Sequence, residues 1–297
     1  MTITFHPLVK NIIILGAGAS TDYNLPVWKN LSKLVINEII GSEINKYKYK
    51  KEILEWLDKV GENKTYETID KCITNESVLP QYDEDSITIE NELFLAMKNI
   101  FDKRYEKNNS GWIKLLNDKI LSSVGLENSL SFINFNYDDV LEKNYLDFSY
   151  LPKKHRELNR RLRLEQLSGV NTTAFYPHGK FSESKEIKSY ITIHKQTMKS
   201  HLKDHLDVVS CYESENHDII FEDLNSSPLD IYILGLGGGM TINLDKFKFK
   251  YNPISNIHVT IKDSKNEATT IKYLSEKYKT TKIKSYRTCD ELVNKAF

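Results

Sequence analysis

Two stretches of the chain combine residue types that chemistry needs. The first is Asn136-Tyr137-Asp138-Asp139, an amide and two carboxyls directly after the apolar segment S-L-S-F-I-N-F at 129–135. A polar cluster at the exit of a buried strand stands where open α/β sheets place their ligands. Capping is the simpler role, because Asp138 or Asp139 can accept a hydrogen bond at the start of the helix carrying Val140 and Leu141. Asn136 falls outside that explanation: an amide two residues before the cap points toward the crevice. The second stretch is Ala174-Phe175-Tyr176-Pro177-His178-Gly179-Lys180. Apolar residues there lead to an imidazole beside a glycine. That leaves His178 at a strand end, either as a structural histidine or as a group that takes a proton near neutral pH.

Two glycine-bearing turns could approach an anion. Ile12-Ile13-Ile14-Leu15 is an unbroken apolar run, which predicts a strand buried on both faces, and it ends in Gly16-Ala17-Gly18-Ala19-Ser20. With no side chains at Gly16 and Gly18, free N–H groups there can meet a phosphate, and a helix opening at once would add its dipole. The full G-x-G-x-x-G spacing is missing, since Tyr23 and Asn24 stand where further glycines would be sought, and Gly-x-Gly also serves simply to turn a chain. The second turn follows the buried strand Asp230–Gly235 and reads L-G-G-G-M-T-I-N-L over 236–244. Its glycines let the backbone approach a ligand or form a mobile loop.

The elements that must hold these stretches follow from periodicity. Leu25-Pro26 starts a helix with Val27, Leu31, Leu34, Val35 and Ile39 on one face and Gly41 as a stop. From 44 to 124 the pattern is helical without a convincing strand, with apolar faces at Ile53–Val60, Leu93–Phe101 and Trp112–Leu121 and an acidic loop near 82–85. Later strands are expected at Ile257–Ile261 and Lys282–Tyr286, each followed by a helix. Ser264-Lys265-Asn266-Glu267 has the spacing of a capping box, and Asp290–Ala296 closes the chain as a helix. Strands alternating with helices predict an α/β fold: a Rossmann-like, mostly parallel sheet with helices on both faces. The expected organisation is a single domain over 1–297, with 44–124 as a helical insertion after the first βα unit.

The four stretches in order are G-A-G-A-S with N-L-P-V-W-K-N-L, F-N-Y-D-D-V-L-E, P-H-G and L-G-L-G-G-G-M-T-I-N-L. Together they resemble the sirtuin-like family of bacterial proteins, particularly those that hydrolyse NAD+ in abortive-infection defence against phages. The first is similar to that family's G-A-G-x-S followed by G-L-P-x-W-x-x-L, the second to its N-Y-D-x-x-L-E. The resemblance implies an NAD+ hydrolase releasing nicotinamide and ADP-ribose, with no metal. By position, Asn136 would hold the nicotinamide ribose and orient water, His178 would be the catalytic base, and Asp138 a supporting polar residue. Gly16, Ala17, Gly18 and Ser20 would form the pyrophosphate turn. Gly235, Gly237 and Asn243 would belong to the late glycine loop, and Asp263 would reach the adenosine ribose. Asn24 replaces the family's glycine before Leu25-Pro26, and the paired C-x-x-C zinc module of the deacylases is missing. Peptide deacylation and ADP-ribosyl transfer are therefore weaker alternatives, and a non-catalytic module binding NAD+ or ADP-ribose is the principal one.

Composition narrows the setting. With 41 basic and 41 acidic residues the 297-residue chain has no net charge, which argues against a general nucleic-acid binder. The basic patch at 153–163 reads first as a solvated helix face. Cys72, Cys211 and Cys289 are too far apart for a disulfide framework or a four-cysteine zinc site, which fits a reducing cytoplasm. His194, His201, His205 and His217 lack metal-ligand spacing and read as surface or loop residues. The first residues lack the basic flank, long apolar core and small-residue cleavage site of a secretory signal, and no apolar run approaches the roughly 20 residues of a membrane helix, so a soluble, intracellular protein is expected. Without an appended sensor, an NAD+-destroying enzyme is expected to be held in check by homo-oligomer formation or by a separate regulatory protein, such as an ATPase.

Overall fold

The apolar run at 12–15 sends alternate side chains into two interiors, as a strand of period two requires. Ile13 and Leu15 join one buried cluster, Ile12 and Ile14 another, and all four are 2% exposed or less. The computed structural model describes residues 2–4, 8–43, 46–55, 85–108, 110–123, 125–126, 129–146, 172–176, 191–195, 219–222, 227–237, 244–245, 247–250, 252–280 and 282–297.

The strands are β1 (Thr2–Thr4), β2 (Asn11–Leu15), β3 (Leu130–Asn134), β4 (Thr172–Tyr176), β5 (Ile191–Lys195), β6 (Ile219–Glu222), β7 (Leu229–Leu234), β8 (Phe247–Lys250), β9 (Ile254–Thr260) and β10 (Ile283–Tyr286). Seven of them form one sheet in the order β10-β9-β7-β2-β3-β4-β5, and every pair is parallel. The helices are α1 (Trp28–Gly41), α2 (Asp85–Arg104), α3 (Trp112–Ser122), α4 (Val140–Asn144), α5 (Glu267–Tyr278) and α6 (Cys289–Ala296). Leu31 and Val35 of α1, Leu93 and Met97 of α2, Trp112 and Leu116 of α3 and Leu292 of α6 pack on the face carrying Ile13, Phe132 and Tyr232. Leu274 of α5 packs on the opposite face with Ile14, Ile231 and Val259. The fold is therefore α/β and Rossmann-like, a parallel sheet covered on both sides, which is why its central strands carry continuous apolar runs.

Several local expectations need correcting. The helix after the first glycine turn is a 3₁₀ helix, Ala17–Tyr23, and the α-helix begins only at Trp28. It ends at Asn24 in the left-handed conformation, φ 60°, a geometry that Asn tolerates best after glycine. The capping box at 264–267 does not form. Asp263 instead caps a short 3₁₀ turn, Ser264–Asn266, by accepting from the Lys265 N–H at 3.0 Å. The Glu267 carboxylate turns away to Ser285 and to Arg287. His194 lies in the edge strand β5, in register with Phe175 of β4, and so not in a loop. A second parallel sheet, β1-β6-β8, leaves no mark in the sequence pattern, because its strands are three or four residues long and too short for periodicity to register. Between 44 and 124 the described residues include α2 and α3 and no strand. Asp85, placed in an acidic loop, opens α2. The basic patch at 153–163, Cys72 and Cys211, and His201, His205 and His217 lie outside the described residues.

Candidate functional site

Strand order locates the crevice. The chain runs from β2 through β3 and β4 to β5 on one side, then returns to place β7, β9 and β10 on the other. The order reverses between β2 and β7, and the carboxyl ends of strands at such a reversal frame the usual ligand crevice of open α/β sheets. Both glycine turns lie at those ends, and the exit of β3 lies beside them at the carboxyl end of the neighbouring strand.

On the β7 side of β2 the two turns are packed backbone against backbone. The Gly16 N–H donates to the Leu234 carbonyl and the Gly18 N–H to the Gly235 carbonyl, both at 2.9 Å, while the Ala19 N–H returns to Gly16 at 2.8 Å. A Cβ on Gly16 or on Gly18 would stand 2.8 Å from the Gly235 oxygen, and one on Gly235 would stand 2.0 Å from the Ala19 nitrogen. Gly235 also has φ +66°, where a side chain is strained. The expectation that the Gly16 and Gly18 amides are free for a phosphate is therefore corrected: both are engaged in holding two turns together. The Gly235 N–H is taken as well, by Thr260 Oγ1 at 2.8 Å, and that hydroxyl in turn donates to the Ile233 carbonyl. Gly237 is exposed, with nothing near its Cβ position. Trp112 of α3 braces the arrangement by donating its indole N–H to the Ala19 carbonyl at 2.7 Å.

On the β3 side of β2 the contacts run through side chains. Asn136 is 4% exposed, Ser20 4% and Asp138 6%. Asn136 Nδ2 donates to the Gly16 carbonyl at 3.0 Å and to Ser20 Oγ at 3.1 Å. The Ser20 hydroxyl donates to Asp138 Oδ2 at 2.7 Å, and the Val140 N–H donates to Asp138 Oδ1 at 3.1 Å. Asp138 thus both meets the first turn of α4 and receives Ser20. Asp139, the residue at the N-cap, makes no side-chain cap bond and pairs with Lys143 instead. Burial lifts the Asp138 carboxyl from its usual 3.8 to about 7, opposed by the hydrogen bonds from Ser20 and Val140 and reinforced by the charges of Glu142 and Asp139. Asn136 Oδ1 is buried and has no hydrogen-bond partner among the described residues.

A second tier of buried polar groups lies behind these three. Asn134 is 1% exposed, Glu142 6% and Tyr176 0%. Asn134 Oδ1 accepts the Asn136 N–H at 3.0 Å, fixing the backbone from which the Asn136 side chain leaves. Burial, then the neighbouring Glu142 carboxylate, raises the Tyr176 phenol well above its usual range. None of these three stood out as a site residue, yet spacing held a signal. Asn134 and Asn136 are two apart at a strand end, and Asp138 and Glu142 are one helical turn apart.

Tyr176 ends β4, and His178 lies two residues beyond it, outside the described residues, as does Asn243. Asp263 is exposed and serves as the cap of its own turn. Asn136, Asp138, Ser20, Gly16, Ala17, Gly18 and Gly235 therefore lie together at the carboxyl ends of β2, β3 and β7. Among the described residues no group of three or more His, Cys, Asp or Glu side chains is placed to hold a metal ion, and no helix is long and apolar enough to cross a membrane. No protein-family model matches the chain, and no curated protein matches it.

Proposed function

We propose that the protein hydrolyses NAD+ to nicotinamide and ADP-ribose at the carboxyl ends of β2 and β3, beside the switch point. The observation that carries this is Asn136, a buried amide at the exit of β3 whose carbonyl oxygen has no donor. Leaving a buried acceptor unmatched costs roughly 1–3 kcal/mol, so a group of this kind calls for a partner supplied from outside the chain. A ribose hydroxyl or a water molecule provides such a hydrogen.

Nicotinamide leaves NAD+ as a neutral base from a cationic ring, so its departure needs little acid assistance. Positive charge then develops on the ribose carbon and ring oxygen. The protein has to hold the sugar, exclude bulk water and deliver one water molecule. Asn136 Oδ1 orients the sugar or the water, Asp138 and Ser20 support that amide, and His178 takes the proton released as water adds. The turns at Gly16–Ser20 and Gly235–Gly237 frame the diphosphate, with Asn243 following them and Asp263 toward the adenosine. No metal is assigned a role.

In a cell this activity drains NAD+, the chemistry of an abortive-infection effector. Restraint then comes from self-assembly or from a separate protein, and mass measurements of the chain alone and with the products of neighbouring genes test that arrangement. The decisive assay incubates the purified protein with NAD+ and measures nicotinamide and ADP-ribose. Turnover lost in both Asn136→Ala and His178→Ala supports the assignment, whereas wild-type turnover in both rejects it. Binding of NAD+ with no nicotinamide released would point to a sensing module, and ADP-ribose found attached to an acceptor to a transferase.

A further inference from the structure

The hydrogen bonds at the exit of β3 have a direction. Ser20 has a single hydroxyl hydrogen, and it goes to Asp138 Oδ2 at 2.7 Å. Its oxygen receives one hydrogen of the Asn136 amide at 3.1 Å, and the other amide hydrogen goes to the Gly16 carbonyl at 3.0 Å. Turning the amide over would set Asn136 Oδ1 against the Gly16 oxygen, two acceptors with no hydrogen between them. The amide is therefore held in one orientation, and its carbonyl oxygen is the atom left without a partner.

A diphosphate is ionised and only accepts hydrogen bonds, so a side chain that recognises it must donate. With Asp138 ionised, the Ser20 hydroxyl has no hydrogen left to donate. A sugar hydroxyl both donates and accepts, and it matches the free oxygen of Asn136. We infer that Ser20 is a positioning residue for the sugar end of the ligand and not a side-chain contact to the diphosphate. Held by Asp138, it fixes the Asn136 amide so that a hydrogen-bond donor on the ligand, and not an anionic oxygen, completes the network. The inference rests on reading the crevice as a dinucleotide site.

ADP and ADP-ribose separate the two ends, because both carry the adenosine diphosphate and only ADP-ribose carries the second sugar. Calorimetry on the full chain at about pH 8, where the Asp138 carboxyl is ionised, compares both ligands in the wild type and in Ser20→Ala. The expected result is about tenfold weaker ADP-ribose binding in the variant, with ADP affinity within twofold of wild type. The unchanged ADP affinity also reports an intact fold, which a general structural defect would not preserve. An equal loss for both ligands would return Ser20 to the diphosphate, and no loss for either would remove its positioning role. Should Ser20→Ala fail to fold, Asp138→Asn, which weakens the acceptor for the Ser20 hydroxyl, is read in the same way: a loss confined to ADP-ribose supports the inference, and any other pattern overturns it. A wild-type protein that binds neither ligand sinks the dinucleotide reading itself, a failure distinct from the other two.

Discussion

The two flanks of β2 solve different problems with the same strand end. Toward β7, three glycines bring two turns into backbone contact, and the N–H groups of Gly16, Gly18 and Gly235 all have partners within the protein. Toward β3, three polar side chains from two distant parts of the chain meet, and one acceptor is left over. The glycine flank is thus demanded by packing even with no ligand, while the side-chain flank keeps a group that packing does not explain. A glycine-rich turn is weaker evidence of binding than an unmatched amide, because close backbone approach alone requires glycine.

The sharpest way to break this contrast is to add a methyl group on the glycine flank. Gly235→Ala forces a side chain onto φ +66° and against the Ala19 nitrogen. A destabilisation of about 3 kcal/mol or more in denaturant unfolding is expected, while Gly237→Ala, with open space around it, leaves the midpoint unchanged. An unaltered Gly235→Ala would show that the two turns do not depend on each other.

On the other flank, Asn136→Ala should lower nicotinamide release by about 100-fold or more while the far-ultraviolet spectrum stays native. If unfolding accompanied the loss, Asn136 would belong to the structural class with the glycines.

Asp138 supplies a pH test. Its folded-state value of about 7 stands above its usual 3.8, so between those values the folded protein keeps a proton that the unfolded chain has released. Its contribution to stability must therefore fall as pH rises from about 4 to about 7, by on the order of a few kcal/mol, and stay level beyond that window. Denaturant midpoints across that range, compared between wild type and Asp138→Asn, isolate the slope. A difference that does not change with pH would show that Asp138 is not desolvated as its burial requires.

The smallest expected effect comes from Asn24→Gly. Asn24 already adopts φ 60°, and glycine accepts that geometry at no steric cost, but the bond from Asn24 Nδ2 to Glu106 is exposed and disappears. The melting midpoint should move by less than about 1 kcal/mol in equivalent stability. A larger loss would mean that the Asn24–Glu106 contact, not the turn geometry, anchors the end of the 3₁₀ helix.

Much of the framework is legible in local pattern. Ile12–Leu15 and Asp230–Leu234 read as doubly buried strands because a parallel sheet covered on both faces leaves no polar alternation, and both are central strands. The helical faces of Leu31, Val35 and Ile39 and of Trp112 and Leu116 follow the 3.6-residue repeat and pack as that repeat requires. Asn136 was legible too, as an amide at a strand exit that capping did not account for. Less visible were Glu142 and Tyr176, since a glutamate within a short helix and a tyrosine within an apolar strand look like an ordinary surface and core residue. The Thr260 bond to Gly235 was invisible, because the partners are 25 residues apart and on neighbouring strands.

Sequence alone determined the α/β alternation and the residues that end each central strand, because hydrophobic period and turn chemistry are local properties of the chain. Only the tertiary structure decided what those ends do. Whether a glycine amide is free or a serine hydroxyl has a hydrogen to give depends on which groups 116–217 residues away come within about 3 Å, as Asn136 and Asp138 do for Ser20 and Gly235 does for Gly18. Hydrogen-bonding capacity is a property of the residue type, but its use is a property of the neighbours.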